Sequence, residues 1–168
     1  MNHSEREQLF LELFHSHKAR IQRLCYGYTN STSESEDLFQ EIMTNVWNSL
    51  PGFRGDSQPG TWLYRIAVNT ALMHRRRRKP TEELSDIPDA AIGPQQSLEQ
   101  QERLVALHCA IATLADQDRV IVSLLLEGLS YKEIAEITGI TVNYVGVKIN
   151  RIKQAIEQKM TEVSHGAI

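Results

Sequence analysis

The stretch SYKEIAEITGITVNYVGVKINRIKQAI, which begins at Ser130, constrains the fold of this 168-residue chain more than any other segment. Ser130 and Glu133 have the spacing of a capping box, which opens a helix. Ala135 is small enough for a second helix to cross closely, and Gly139 suits a turn that needs a positive φ. Thr141 then provides the cap of the next helix. This arrangement predicts a helix-turn-helix, although a hairpin that only packs has similar features.

The second helix of this motif has two chemically different faces. An apolar stripe at helical spacing is suited to docking on a core: Val145, Ile149, Ile152 and Ile156. The opposite face, with its flanks, carries Asn143, Tyr144, Val147, Asn150, Arg151 and Gln154. An inert solvated face usually carries Glu and Lys, whereas Asn pairs bidentately with adenine and Val contacts a thymine methyl. We predict that this face reads base pairs, and that Lys148 and Arg151 contact phosphates.

The rest of the chain shows no alternation typical of β-strands, so we predict an all-α protein with two small helical domains. The segment KPTEELSDIPDAAIGPQQ contains three prolines and four acids, and it has few large apolar residues. Such a composition does not bury enough surface to offset the entropy of ordering it. We therefore predict domains at residues 1–79 and 97–168, joined by a flexible acidic linker at residues 80–96.

The first domain is predicted to contain three helices. The first runs from about Ser4 to Tyr28, and a capping box formed by Ser33 and Glu36 opens the second. LPGFRGDSQPG, with its glycines and prolines, is predicted to be a loop. The third helix is predicted from about Thr61 to Arg78, with Met73 facing inward.

Composition excludes several classes of protein. A hydrophobic content of 41% supports buried cores, and no apolar run is long enough to predict a membrane span. The N-terminal charges are unlike those of a signal peptide. Cys25 and Cys109 lie in apolar helical patterns, so we predict two buried free thiols in a reducing compartment. The sequence has no phosphate-binding glycine loop, nucleophile–base motif or HExxH motif, so we predict no enzyme activity, cofactor or metal.

Two charged clusters are candidates for binding. Asp37 and Glu41 are four residues apart on the second helix, with Gln40 beside them, so they share a face. Spacing alone leaves open whether they dock a partner or only favour the helix N-terminus. HRRRRK, which includes Arg75 and Arg76, ends the third helix. A helix dipole explains one or two of these charges, and the rest predict contact with a polyanion.

Three of these segments together resemble one family, the compact extracytoplasmic-function group of bacterial RNA polymerase sigma factors. SEDLFQEIMTNVW resembles the family's core-polymerase-binding helix, and FRGDSQPGTWLYRIAVNTA resembles its promoter-melting segment. The helix-turn-helix resembles the family's C-terminal domain. The chain departs from the family pattern at three places. Asn143-Tyr144 stands where the family often has Gly-Thr, and Gly146 stands where it often has a basic residue. Pro59-Gly60 stands where the family often has apolar or aromatic residues.

The resemblance implies a cytoplasmic, non-enzymatic sigma factor that needs no cofactor and does not insert into a membrane. Its implied partners are core RNA polymerase, double-stranded promoter DNA, the single-stranded non-template strand and an anti-sigma factor. Residues 1–79 correspond to sigma region 2 and residues 97–168 to sigma region 4. Core polymerase would contact Asp37, Gln40 and Glu41. The downstream element would contact Phe53, Arg54, Ser57, Trp62, Arg65, Asn69, Arg75 and Arg76. The upstream element would contact Asn143, Tyr144, Val147, Lys148, Asn150 and Arg151.

Two other functions fit parts of the sequence. A stand-alone dimeric helix-turn-helix regulator would need a dimerisation helix and no polymerase contact, but the melting segment argues against it. A pure adaptor would use the basic run to bind an acidic partner. Transcription with and without core polymerase distinguishes these possibilities.

Overall fold

The computed structural model describes residues 1–77 and 97–166, which form seven α-helices and one 3₁₀ turn and contain no β-strand. The prediction of an all-α protein is confirmed. The chain divides into two compact units, Met1–Ser85 and Asp86–Ile168. The predicted linker, residues 80–96, lies outside the described residues.

The described part of the first unit, residues 1–77, contains three helices that each pack against the other two. They are α1 (His3–Tyr28), α2 (Thr32–Ser49) and α3 (Pro59–Arg77), with the 3₁₀ turn Leu50–Gly52 after α2. The core is mostly aliphatic, with Tyr28 and Tyr64 also buried, and burial of each large aliphatic side chain stabilises the unit by about 1.5–3 kcal/mol. Its members include Leu13, Ile21, Leu24, Leu38, Ile42, Val46, Leu63 and Ala67.

Two helices of this unit begin earlier than the sequence predicted. The predicted Ser33–Glu36 capping box is wrong, because Ser31 caps α2 by accepting a hydrogen bond from the Glu34 N–H at 3.2 Å. The segment STSESE contains the Ser-x-x-Glu spacing twice, and the earlier copy is used. Helix α3 begins at Pro59 instead of Thr61. Proline suits the first helical turn because the N–H that it lacks would have no partner within the helix.

Two apolar residues predicted to lie inside are on the surface. Met73 is 59% exposed, whereas Val68 and Ala71 face the core from α3. Cys109 is also exposed, because its neighbours Ala110 and Ile111 occupy the buried positions of their helix. Cys25 is buried as predicted, and desolvation raises the pKa of its thiol to about 12. Apolar character alone does not determine which of several candidate positions faces the core.

Residues 97–166 of the second unit form four helices, and the last packs against the other three. They are α4 (Leu98–Ala112), α5 (Asp116–Leu126), α6 (Tyr131–Thr138) and α7 (Val142–Gly166). The core includes Ile111, Val120, Ile121, Leu124, Ile134, Val145, Ile149 and Ile152. Helix α7 is therefore held from several sides along its N-terminal half.

The predicted helix-turn-helix is present in α6 and α7. Ser130 accepts a hydrogen bond from the Glu133 N–H at 3.2 Å, and the Glu133 carboxylate accepts one from the Ser130 N–H at 2.7 Å. Gly139 ends α6 with φ of 76°. Thr141 accepts a hydrogen bond from the Tyr144 N–H at 3.1 Å and so caps α7. Residues three or four positions apart therefore define both ends of the turn between α6 and α7.

Two glycines of this motif should respond oppositely to alanine. Gly139→Ala should lower the unfolding free energy of the second unit by about 1–2 kcal/mol, because a Cβ is disfavoured at positive φ. Gly146→Ala should raise it by up to about 1 kcal/mol, since Gly146 is helical and a Cβ there would lie 3.6 Å from the Tyr131 ring, an ordinary contact. Amide hydrogen exchange in α6 and α7 of the full chain measures both effects. Equal shifts in the same direction would contradict this explanation.

Candidate nucleic-acid and polymerase interfaces

Helix α7 presents the polar face that the sequence predicted. Val145, Ile149 and Ile152 are buried, whereas the opposite positions are exposed, among them Asn143, Asn150 and Arg151. Tyr144 is 43% exposed and Val147 is 45% exposed. Large side chains that remain in solvent on a well-packed helix are available to contact the base edges of a DNA groove.

Lys148 has a different environment from the one predicted for a phosphate contact. Its Nζ lies 2.8 Å from Oδ1 of Asp118 on α5, and the two side chains are only 17% and 28% exposed. Its Nζ also lies 5.5 Å from the centroid of the Tyr144 ring. The Lys148 charge is therefore balanced within the protein, whereas Arg151 on the same helix is exposed.

Tyr131 belongs to this surface, although the sequence reasoning missed it. It is 39% exposed at the start of α6, and its ring passes 3.6 Å from the place where a Cβ of Gly146 would lie. A glycine within the α7 pattern, opposite an aromatic residue at the start of α6, is the sequence signal that would have identified it. Tyr131 therefore lies beside Gly146 at the exposed face of α7.

An aromatic pair lies among the residues that are predicted to contact the downstream element. The rings of Phe53 and Trp62 have centroids 5.0 Å apart and an interplanar angle of 50°. Both side chains are half-buried, as is that of Ser57, and Arg54 is exposed. Gly55 adopts φ of 78°, which only a residue without Cβ adopts readily, so the chain turns sharply beside Phe53.

One face of α3 continues from this aromatic pair. At 3.6 residues per turn, Trp62, Arg65, Asn69, Met73 and Arg76 share that face. Arg65, Asn69 and Arg76 are exposed, and so is Met73. Phe53 thus lies against Trp62, and Asn69 lies two turns after Trp62 on α3 with its side chain toward solvent.

His17 on α1 supports the start of α3. A Cβ on Gly60 would lie 3.0 Å from Cε1 of His17, so a larger residue there would require the His17 ring to shift by a few tenths of an ångström. The His17 ring also makes an edge-to-face contact with Tyr64, with centroids 5.9 Å apart. Burial, and secondly the charge of Arg20, lowers the pKa of His17. The departure from the family pattern at Pro59-Gly60 thus has a packing cause.

Acidification should destabilise the first unit through His17. The pKa of His17 is lower in the folded chain than its unfolded value near 6.5. As the pH drops below about 6.5, His17 therefore takes up a proton more readily in the unfolded chain than in the folded chain. The free energy of unfolding falls as a result. Trp47 and Trp62 both lie in the first unit, so tryptophan fluorescence during urea unfolding reports on that unit. His17→Gln should weaken the dependence between pH 7.5 and 5.5. An unchanged dependence would show that other groups cause it.

The predicted acidic patch adjoins the cationic run across α2 and α3. Asp37 and Gln40 are exposed, as predicted. Glu41 is partly exposed and accepts a hydrogen bond from Arg77 at 2.5 Å. His74 Nδ1 lies 3.6 Å from Glu41, and His74 Nε2 lies 3.1 Å from Glu34. Two members of the cationic run are therefore directed toward α2.

The other members of the run have different environments. Arg76 is exposed and Arg75 is half-buried. Positions 78 and 79 lie outside the described residues. The run is therefore not a uniform cationic surface, and of its described members Arg76 is the best placed to contact a phosphate.

The described geometry defines a helical protein with a helix-turn-helix of the DNA-binding class in its second unit. Comparison with known proteins identifies the family. Residues 13–81 match the model for sigma-70 region 2, and residues 104–156 match the model for sigma-70 region 4. The RNA polymerase sigma-H factor of Pseudomonas aeruginosa is 32% identical, over 89% of this chain and 84% of its own length. The sigma factor SigW of Bacillus subtilis is 28% identical, over 94% of this chain and 91% of its own length.

Solved structures show the same fold. The sigma factor RpoE of Bartonella quintana, solved with the anti-sigma factor NepR, has a TM-score of 0.69 at 19% identity, over 92% of this chain and 96% of that one. CnrH, solved with the cytosolic domain of CnrY, has a TM-score of 0.70 at 18% identity, over 91% of this chain and 88% of that one. The chain belongs to the extracytoplasmic-function group of the sigma-70 family, and so is a sigma factor that directs transcription from promoters. None of the helices in residues 1–77 and 97–166 is long and apolar enough to span a membrane.

Proposed function

We propose that the first unit binds core RNA polymerase and opens the downstream promoter element, and that the second unit reads the upstream element. The exposed face of α7 is the main support for this division of roles. Asn143, Val147 and Asn150 are presented there by a helix-turn-helix whose caps and turn are complete. In this arrangement residues 1–79 act as sigma region 2 and residues 97–168 as sigma region 4.

The chain supplies binding energy, and the polymerase performs the chemical step. We infer that the chain is not an enzyme and acts in the cytoplasm, where its template and polymerase are found. We also infer an anti-sigma partner, because the related RpoE of Bartonella quintana was solved with one. Copurification of the chain from its host, followed by identification of bound proteins, tests for both core polymerase and this regulator.

Asn150 is proposed to read one base pair of the upstream element. Its exposed amide has both a donor and an acceptor, which match the N6 and N7 edge of adenine. Asn150→Ala should lower the promoter affinity of the holoenzyme by about 1–3 kcal/mol and relax the preference at one position. Binding to promoters with each upstream base pair substituted in turn measures this change.

Arg151→Ala provides the contrast for that experiment. Arg151 is exposed on the flank of the same helix, where a guanidinium contacts phosphates without reading sequence. Its replacement should weaken binding to all sequences and reduce the slope of log affinity against log salt by about 0.9. If both variants lose the same affinity on cognate and scrambled DNA, the assignment of the reading face is wrong.

A further inference from the structure

Contacts between three side chains join the first turn of α5 to the first two turns of α7. Asp118 on α5 contacts Lys148 on α7, and Lys148 contacts Tyr144. The Asp118 carboxylate binds the Lys148 ammonium at 2.8 Å, and both groups are largely withdrawn from solvent. The same ammonium lies 5.5 Å from the centre of the Tyr144 ring, one turn before Lys148 on α7. A cation at this distance from an aromatic ring is attracted by the negative face of the ring.

Tyr144 has little else to fix its side chain. It is 43% exposed, and the hydrogen bond to Thr141 involves its backbone N–H and leaves the ring unconstrained. Lys148 by contrast is anchored, because its partner Asp118 belongs to another helix. The contact with Lys148 therefore favours one orientation of a partly exposed ring.

The ion pair also argues against the role first predicted for Lys148. A lysine contributes to the salt dependence of DNA binding when its free charge replaces condensed counterions at a phosphate. The charge of Lys148 is balanced at 2.8 Å by a carboxylate, and withdrawing it would leave Asp118 unpaired and partly buried.

We propose that Lys148 is a positioning residue, held by Asp118, that orients Tyr144 against one base pair of the upstream element. Tyr144 makes the contact with DNA, through its ring and hydroxyl at a base edge in the major groove. Lys148 acts through Tyr144 and leaves the phosphates to Arg151. The inference rests on the proposed reading of DNA by α7 and adds a specificity-determining group to that face.

The test uses the charge-balanced double variant Asp118→Asn with Lys148→Met in holoenzyme. Removing both partners keeps the net charge, so the salt slope changes only if Lys148 itself contacts phosphate. Upstream elements bound from a randomised library give the base preference at each position. We expect the preference at one position to fall about fivefold, and Tyr144→Ala to reduce it at the same position. The salt slope should remain that of the wild type.

The decisive comparison is the double variant in a Tyr144→Ala background. If Lys148 acts through Tyr144, adding the double change there should cause no further loss of preference, because the effects of coupled residues do not add. Lys148→Arg keeps the positive charge beside Asp118 and Tyr144, and should retain the wild-type preference.

Several results would overturn the proposal. They are additive effects in the Tyr144→Ala background, a fall in the salt slope of about 0.9, or an unchanged base preference in the double variant. Loss of amide-exchange protection throughout α7 in the double variant would show that the Asp118–Lys148 pair only stabilises the helix. This result would also overturn the proposal. If wild-type holoenzyme shows no upstream preference at all, the proposed reading of DNA by α7 fails instead.

Discussion

Alanine at both Phe53 and Asn69 should slow promoter opening by about a hundredfold while upstream-element binding and core affinity stay near those of the wild type. A base is read on its pairing edge only after it has left the duplex, at a cost of a few kcal/mol in stacking and pairing. A site that holds the extruded base offsets this cost, and about 3 kcal/mol corresponds to the expected factor.

The structure provides the components of such a site around the turn at Gly55. Phe53 packs against Trp62, so the aromatic surface is fixed before DNA arrives. Base–aromatic stacking contributes about 1–3 kcal/mol. Asn69 is exposed two turns along α3, and its amide offers a donor and an acceptor to a pairing edge. Arg65 and Arg76 on the same face are suited to the phosphates of the displaced strand.

A fluorescent base analogue placed at each position of the downstream element measures this capture. Wild-type holoenzyme should unstack one base specifically, and the Phe53→Ala and Asn69→Ala variants should lose that signal. A template already unpaired across the element is the control, because it removes most of the cost of melting and should restore most of the rate. Variants that open duplex promoters at the wild-type rate would place the capture site elsewhere.

The second large effect concerns the polymerase. Gln40→Ala with Glu41→Ala should weaken binding to core polymerase at least about tenfold, because truncating one partner of an interfacial charge pair costs about 2–5 kcal/mol. Asp37 and Gln40 are exposed on α2, so the fold does not depend on them. The Glu41–Arg77 ion pair is partly exposed, with the Arg77 side chain at 60% and that of Glu41 at 34%, so its loss should change stability only slightly.

Gln8→Ala with Glu12→Ala is the matched control. Gln8 and Glu12 are an exposed Gln–Glu pair, joined by a 3.3 Å hydrogen bond, but they lie on α1 instead of α2. Titration of fluorescently labelled chain with core polymerase should show wild-type affinity for this variant. Equal loss of polymerase affinity in the α1 and α2 double variants would indicate a general effect of charge. Unchanged polymerase affinity in the α2 double variant would refute the assignment of Gln40 and Glu41 to polymerase docking.

Sequence predicted best those features that depend on near neighbours. The Ser130–Glu133 box, the positive φ of Gly139 and the cap at Thr141 each involve residues three or four positions apart, and all three are present. The cap of α2 was placed two residues too late because the same spacing occurs twice. The local spacing is the same for Ser31 and Ser33, so it does not decide between them.

Features that join distant segments were not predictable in this way. Asp118 and Lys148 are thirty positions apart, and Lys148 looked like a free cation until the packing of α5 on α7 placed a carboxylate beside it. Gly60 seemed an anomaly at a helix start, yet it makes room for His17 from α1. Met73 looked like a core residue because it is apolar, but it lies on the face shared with Asn69. For Lys148 and Gly60 the deciding partner is remote in sequence.

The most direct measurement of the central claim is run-off transcription from host genomic fragments by purified core polymerase, with and without this chain. With the chain present, we predict transcripts from discrete start sites that share an upstream and a downstream element. These transcripts should be absent with core polymerase alone and with the Gln40→Ala, Glu41→Ala variant at limiting concentration. Identical transcripts with and without the chain would contradict its assignment as a promoter-directing sigma factor.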